Sequence, residues 1–102
     1  MSNIENKILY YLKTHCTGVD NAISAKQVCQ AFGITDRTLR QVKRNIVLNI
    51  DYRVGSSENG YFYCSNKNEL KIARSEYLSR IRKSNQMIKR YDKAIEDQEQ
   101  LF

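Results

Sequence analysis

The stretch from Ser24 to Tyr63, SAKQVCQAFGITDRTLRQVKRNIVLNIDYRVGSSENGYFY, constrains this chain more than any other. Ser24 followed by Gln27 has the spacing of a capping box and opens a two-turn helix whose inward residues are Val28, Ala31 and Phe32. Gly33, free to turn left-handed, ends it. Thr35 is a good N-cap and Asp36 suits the positive end of the next helix, which is predicted to run to about Leu48. At about 100° per residue, Leu39, Val42, Ile46 and Ile50 share one side of that helix, while Arg37, Gln41 and Arg44 share the other with Arg40 beside them. Lys43 falls on the core side, where its stem packs and its ammonium snorkels outward. Tyr52-Arg53-Val54 and Tyr61-Phe62-Tyr63-Cys64 are strand formers, and Asn59-Gly60 between them is the strongest short hairpin signal in the chain.

Elements on either side extend this order. Ser2 with Glu5 has capping-box spacing, and Ile4, Ile8, Leu9 and Leu12 repeat at helical intervals, predicting a core-forming helix over 3–14. Residues 15–21 read as a loop. Asn66 with Glu69 opens a last helix predicted over 67–99, roughly 50 Å long at 1.5 Å per residue. With no proline and no low-complexity stretch, nothing marks a flexible linker. The expected organisation is a compact unit over residues 1–65 and a helical extension over 66–102, of which Leu70, Ala73 and Tyr77 pack back on the unit. Ile81, Ile88, Ile95 and Phe102 recur at intervals of seven, interleaved with Leu70, Tyr77, Ser84, Tyr91 and Gln98. This imperfect heptad predicts a homodimer through Tyr77, Ile81, Ile88, Tyr91 and Ile95.

A chain of 102 residues leaves little room for both a packed core and a deep catalytic cleft. No glycine-rich phosphate loop, paired carboxylates or nucleophile-base spacing stands out, so a binding module is expected and an enzyme is not. Cys16, Cys29 and Cys64 form no CxxC arrangement and His15 is alone, which argues against a disulfide framework, a metal site or a cofactor. Cys29 and Cys64 are expected as small core residues of a reduced, cytoplasmic protein, and no apolar run suggests a signal peptide or membrane span. Seventeen Lys and Arg against eleven Asp and Glu give a formal charge of +6, favouring polyanionic partners. The excess lies in residues 24–54, with six cations and two carboxylates, and in residues 66–93, with nine and three; residues 94–102 carry three carboxylates and no cation.

The run ISAKQVCQAFGITDRTLRQVKRNI followed by YRVGSSENGYFY resembles the winged helix-turn-helix domains of the biotin-operon-repressor and DeoR-like class over about residues 4–65. The resemblance implies a mainly α fold with a small β-hairpin, three helices plus a wing, followed here by one long C-terminal helix as in small bacterial and phage regulators. By position the family's reading helix falls on Thr35–Leu48 and its wing on Tyr52–Tyr63. No effector or enzymatic domain follows the wing, so no small-molecule effector is expected. The implied function is sequence-specific binding of double-stranded DNA, in transcription regulation or as an accessory replication factor. Arg37, Thr38 and Gln41 are the candidate base readers and Arg40 and Arg44 the phosphate clamps, on a helix capped by Thr35. Arg53, Ser56, Ser57 and Asn59 are candidate wing contacts. The competing class is a protein-interaction module, an inhibitor or adaptor on the same scaffold; RNA binding ranks third, because the stacking aromatics are confined to Tyr61, Phe62 and Tyr63.

Overall fold

The computed structural model describes residues 3–97. Helices α1 (Asn3–His15), α2 (Ala25–Phe32) and α3 (Asp36–Asn49) are followed by strands β1 (Val54–Ser57) and β2 (Gly60–Tyr63), and a single long helix α4 (Lys67–Asp97) closes the order. The chain is mainly helical, with one two-stranded antiparallel hairpin.

Local chemistry sets most of these boundaries. The Ser24–Gln27 capping box forms in both directions, and the Gln27 N–H donates to Ser24 Oγ at 3.2 Å. Gly33 ends α2 in the left-handed region at φ 64°, and Thr35 caps α3 by accepting from the Thr38 N–H at 3.2 Å. Asn66 Oδ1 accepts from the Glu69 N–H at 2.9 Å to open α4. The serine proposed to cap α1, Ser2, lies outside the described residues, as do residues 98–99 of the predicted last helix and the heptad positions Gln98 and Phe102.

The core gathers Ile8 and Leu12 of α1, Val28 of α2, and Leu39, Val42 and Ile46 of α3, with Tyr61 and Tyr63 of β2; Phe62 between them is fully buried on the other face of the hairpin, beside Gly55. Each of these helical residues lies on one stripe of its helix, so α3 packs between α1 and α2 and leaves its other face to solvent. Two inward assignments, Ile50 and Ala31, fail, and a third, Phe32, holds in part. Ile50 is 51% exposed because α3 stops at Asn49 and Ile50 takes non-helical angles, so the periodicity that placed it inward no longer applies. Ala31 is exposed, and Phe32 is only half-buried, its ring edge-on to Tyr11 at 6.0 Å between centroids. Both sit at the end of a two-turn helix of which Val28 alone is fully buried, while Ala25, Cys29 and Phe32 pack partly buried against the core.

The hairpin also departs from expectation. Val54 pairs with Tyr63 and Ser57 with Gly60, so the two-residue turn is Glu58-Asn59 rather than Asn59-Gly60, and Tyr52 and Arg53 lie in the turn before β1. Gly60 is displaced into the strand because the chain needs it there. Its φ is 120°, and a Cβ at this position would run into the Ile23 carbonyl. Ile23 and Tyr61 exchange two backbone hydrogen bonds at 2.9 and 2.7 Å, and the Tyr63 N–H donates to Cys16 O while the Gly18 N–H donates to Tyr63 O. The predicted loop between α1 and α2 thus flanks β2 on the side away from β1, a pairing absent from any local pattern.

The first half of α4 packs on β1 at a glycine. A Cβ on Gly55 would stand 2.8 Å from Ala73 Cβ, so helix and strand approach as closely as they do only because that side chain is missing. Glu69, buried in the first turn of α4, fastens two other segments to it. Its Oε2 accepts from the Val19 N–H at 2.9 Å and its Oε1 from the Ser65 N–H at 2.7 Å, and these bonds hold its carboxyl below the usual carboxylate range. Beyond this packed portion α4 runs on alone, stretching the molecule to 59 Å along its longest axis against 29 and 24 Å across.

Candidate nucleic-acid interface

The face of α3 turned away from the core carries Arg37, Gln41 and Arg44, all exposed. Since Leu39, Val42 and Ile46 on the opposite stripe are nearly inaccessible to solvent, the helix has no freedom to roll about its axis and the outward direction of these three is fixed by the core. Among the described residues none of the three forms a side-chain hydrogen bond or ion pair. Arg40 is differently placed: it pairs with Asp36 at 2.7 Å, one turn back on the same helix. Both partners are more than half exposed, so this pair is weak and gives way easily to another anion. Thr35 and Thr38 share a hydrogen bond at 3.0 Å, with the Thr35 hydroxyl donating, which leaves the Thr38 hydroxyl proton free.

Two features of α3 and its surroundings are additional to the sequence assignments. Leu48 continues the stripe of Arg37, Gln41 and Arg44 and is 67% exposed; Ile50 and Tyr52 follow it at 51% and 62%. The helical spacing of Leu48 was readable, but an apolar residue draws attention toward the core. The second feature is Lys43. Only 7% exposed, it does not snorkel but donates to Ser56 Oγ at 2.6 Å, with its ammonium 5.6 Å from the Tyr61 ring centre and 5.0 Å from that of Tyr77. Ser56 in turn donates to Glu76 Oε2 at 3.2 Å, so one polar chain joins α3, β1 and α4.

The proposed wing residues divide between its two ends. Ser57 and Asn59 stand at the tip, where the Asn59 N–H donates to Ser57 Oγ at 3.2 Å, and Glu58 between them adds a negative charge. Arg53 lies at the base instead, with its guanidinium 5.9 Å from the Tyr52 ring centre. Hydrogen bonds with the Tyr52 and Tyr63 hydroxyls raise its pKa further, and Tyr63 itself donates to Asp51 at 2.8 Å. Ser56 is taken up by Lys43 and Glu76, which leaves it least able to meet a ligand. Between the hairpin tip, the starts of α2 and α3, and Arg80 of α4 lies an open cleft of about 280 Å³, edged by Asp36, Arg40, Glu58 and Glu76. A second hollow of about 410 Å³ lies over Lys26, Cys29, Gln30, Ile34 and Asp36.

Of the residues assigned to self-association, Tyr77 is claimed by the compact unit, its ring flanked by Lys43 and by Arg80 at 5.3 Å. Ile81, Ile88, Tyr91 and Ile95 are 56%, 55%, 62% and 66% exposed and touch nothing else in the core. Cys16 and Cys64 are buried and Cys29 half-buried; burial raises the Cys16 thiol and pushes Cys64 up to about 11, so neither buried thiol is poised as a nucleophile. Among the described residues no group of three or more His, Cys, Asp or Glu is arranged to hold a metal ion, and no helix is long and apolar enough to cross a membrane. No protein-family model matches the chain, and neither a curated protein nor a solved structure matches it significantly.

Proposed function

We propose that this chain is a small winged-helix protein that binds double-stranded DNA sequence-specifically, as a transcriptional regulator or accessory replication factor, by laying α3 in a major groove. The observation that carries this reading is the outward row of Arg37, Gln41 and Arg44, unpartnered among the described residues and held in direction by a packed core on the other side of the same helix. Arginine can meet guanine O6 and N7 with two bonds, and glutamine can meet adenine N6 and N7 in the same way. Arg37 and Gln41, near the start of α3, take those roles, with the free Thr38 hydroxyl beside them. Arg44 and Arg40 act on phosphates, where their charge works without regard to sequence. Ser57 and Asn59 at the hairpin tip add contacts to the flank, weakened by Glu58, and Arg53 at the base serves chiefly to hold Tyr52 and Tyr63.

Selection from random duplexes, followed by titration of variants on the selected site and on a scrambled one, tests this reading. Arg37→Ala and Gln41→Ala are each expected to cost about 1–3 kcal/mol on the selected site and much less on the scrambled one. Arg44→Ala is expected to weaken both alike. Absence of duplex binding at low salt overturns the proposal. The exposed row Leu48, Ile50 and Tyr52 favours the second reading, a protein-interaction module, in that event. Such a partner would bind with little dependence on salt, whereas phosphate contacts weaken steeply as salt rises.

A further inference from the structure

Between Ser24 and Asn49 the chain carries five cations and a single carboxylate, Asp36. That carboxylate stands at the first residue of α3, and the N-terminal residues of a reading helix are the ones that reach base edges in a major groove. Its Oδ2 holds the Arg40 guanidinium at 2.7 Å, while its Oδ1 accepts no hydrogen bond among the described residues. The Asp36 side chain is 52% exposed and edges both surface hollows, so a ligand can reach it from outside. A negative charge does suit the positive end of a helix, and the pair with Arg40 spans one turn. Yet the cap of α3 is made by Thr35, so the helix does not depend on Asp36 to begin.

We propose that Asp36 is a specificity-determining residue that accepts a hydrogen bond from the N4 amino group of a cytosine, beside the bases met by Arg37 and Gln41. The inference rests on the DNA-binding reading above and adds one base to it. When Arg40 turns from Asp36 to a phosphate, the carboxylate is left without a counter-charge between two negatively charged strands. That cost is offset only where a base edge offers a donor. In the major groove guanine and thymine offer none, cytosine offers N4 and adenine offers N6. Adenine sets its N6 between its own N7 and thymine O4, two acceptors that repel a carboxylate, whereas cytosine N4 has an acceptor, guanine O6, on one side alone. Asp36 therefore selects by penalty as well as by contact. On a wrong sequence it keeps Arg40 paired and opposes the approach of phosphates, which lowers binding to random DNA.

Selection from random duplexes with the full-length wild type, Asp36→Asn and Asp36→Ala tests it, followed by titration on the wild-type site and on that site with the C·G pair replaced. The wild type is expected to select cytosine at one position where Asp36→Ala selects no base, with a loss of about fivefold to a hundredfold in preference there. Asp36→Asn, whose amide offers a donor and an acceptor together, is expected to change that cytosine to adenine. Both variants are expected to bind a scrambled duplex about threefold tighter at low salt, because Arg40 is released. Thr35 still caps α3, so both are expected to keep the wild-type helical circular-dichroism signal. Arg40→Ala is expected to weaken every duplex and keep the cytosine, which separates reading by Asp36 from the pair it forms. An adenine in the wild-type selection at the position sensitive to Asp36 overturns the assignment to cytosine. Identical selected sequences for the wild type and both Asp36 variants overturn the inference and leave the DNA-binding reading standing. Absence of duplex binding by the wild type overturns that reading and the inference with it.

Discussion

The two halves of α4 are one helix by backbone and two different objects by chemistry. Up to about Ser79 its inward side carries Glu69, Leu70, Ala73 and Glu76, which are buried or half-buried against the hairpin and the segment between α1 and α2. From Ile81 to Lys93 the helix is exposed all round among the described residues. Hydrogen bonds within the helix are alike in both halves, so the difference isolates what tertiary contact adds: the first half contributes to the stability of the unit, and the second draws its order from the first.

Substitutions can break that contrast. The largest effect is expected on the buried face of the hairpin beside Gly55: Phe62→Ala, at a residue with no solvent exposure, should cost about 3–5 kcal/mol by chemical denaturation, while Ile88→Ala in the second half of α4 should stay within about 0.5 kcal/mol at concentrations where the chain is monomeric. Next comes Gly55→Ala, which forces a methyl against Ala73 and should cost about 1–3 kcal/mol by prying α4 from β1. If it proves neutral, the first half of α4 is no better anchored than the second. Glu69→Ala, which leaves the Val19 and Ser65 N–H groups without their acceptor, should also cost about 1–3 kcal/mol.

The Glu69 carboxyl also sets a pH dependence. Because its folded pKa lies below the unfolded value of about 4.3, its stabilisation is complete above that value and drains away as pH falls through the lower folded one. Denaturation midpoints measured between pH 6 and pH 3 should therefore fall less steeply in Glu69→Gln than in the wild type. The smallest effect is expected at Arg40→Ala, where loss of the exposed Asp36 pair should change stability by no more than about 0.5 kcal/mol and so separate any change in ligand binding from a change in folding.

What could be read from the sequence was whatever neighbouring residues decide among themselves. Ser24 with Gln27, Gly33, Thr35 and Asn66 mark helix ends because a cap needs only a few residues, and Leu39, Val42 and Ile46 mark the buried stripe of α3 because its period is local. The outward row of Arg37, Gln41 and Arg44 follows from the same period. The hairpin turn was misplaced by one residue because the backbone of Ile23, far away in sequence, dictates where Gly60 must stand. Likewise the carboxylate of Glu69 was expected to close its own helix cap and instead holds Ser65 and Val19, and Lys43 was expected to reach solvent and instead meets Ser56 between two tyrosines. Each miss involves a polar or glycine residue whose role is set by a distant partner, which no short window contains.

The pairing of Cys16, Gly18 and Ile23 with β2 bears on the order in which the chain folds. The hairpin can zip up locally, and α2 and α3 can meet across Gly33, but the strand-like segment between α1 and α2 can join β2 only after the whole intervening chain has been drawn in. Closing that loop is costly before other contacts repay it, so these bonds are expected to form late, on the native side of the folding barrier. Shortening Ile23 to Val or Ala should then speed unfolding while leaving the refolding rate nearly unchanged, as a chevron comparison would reveal. In kinetic terms the segment acts as a latch: it contributes little to how fast the native state is reached and much to how long that state lasts.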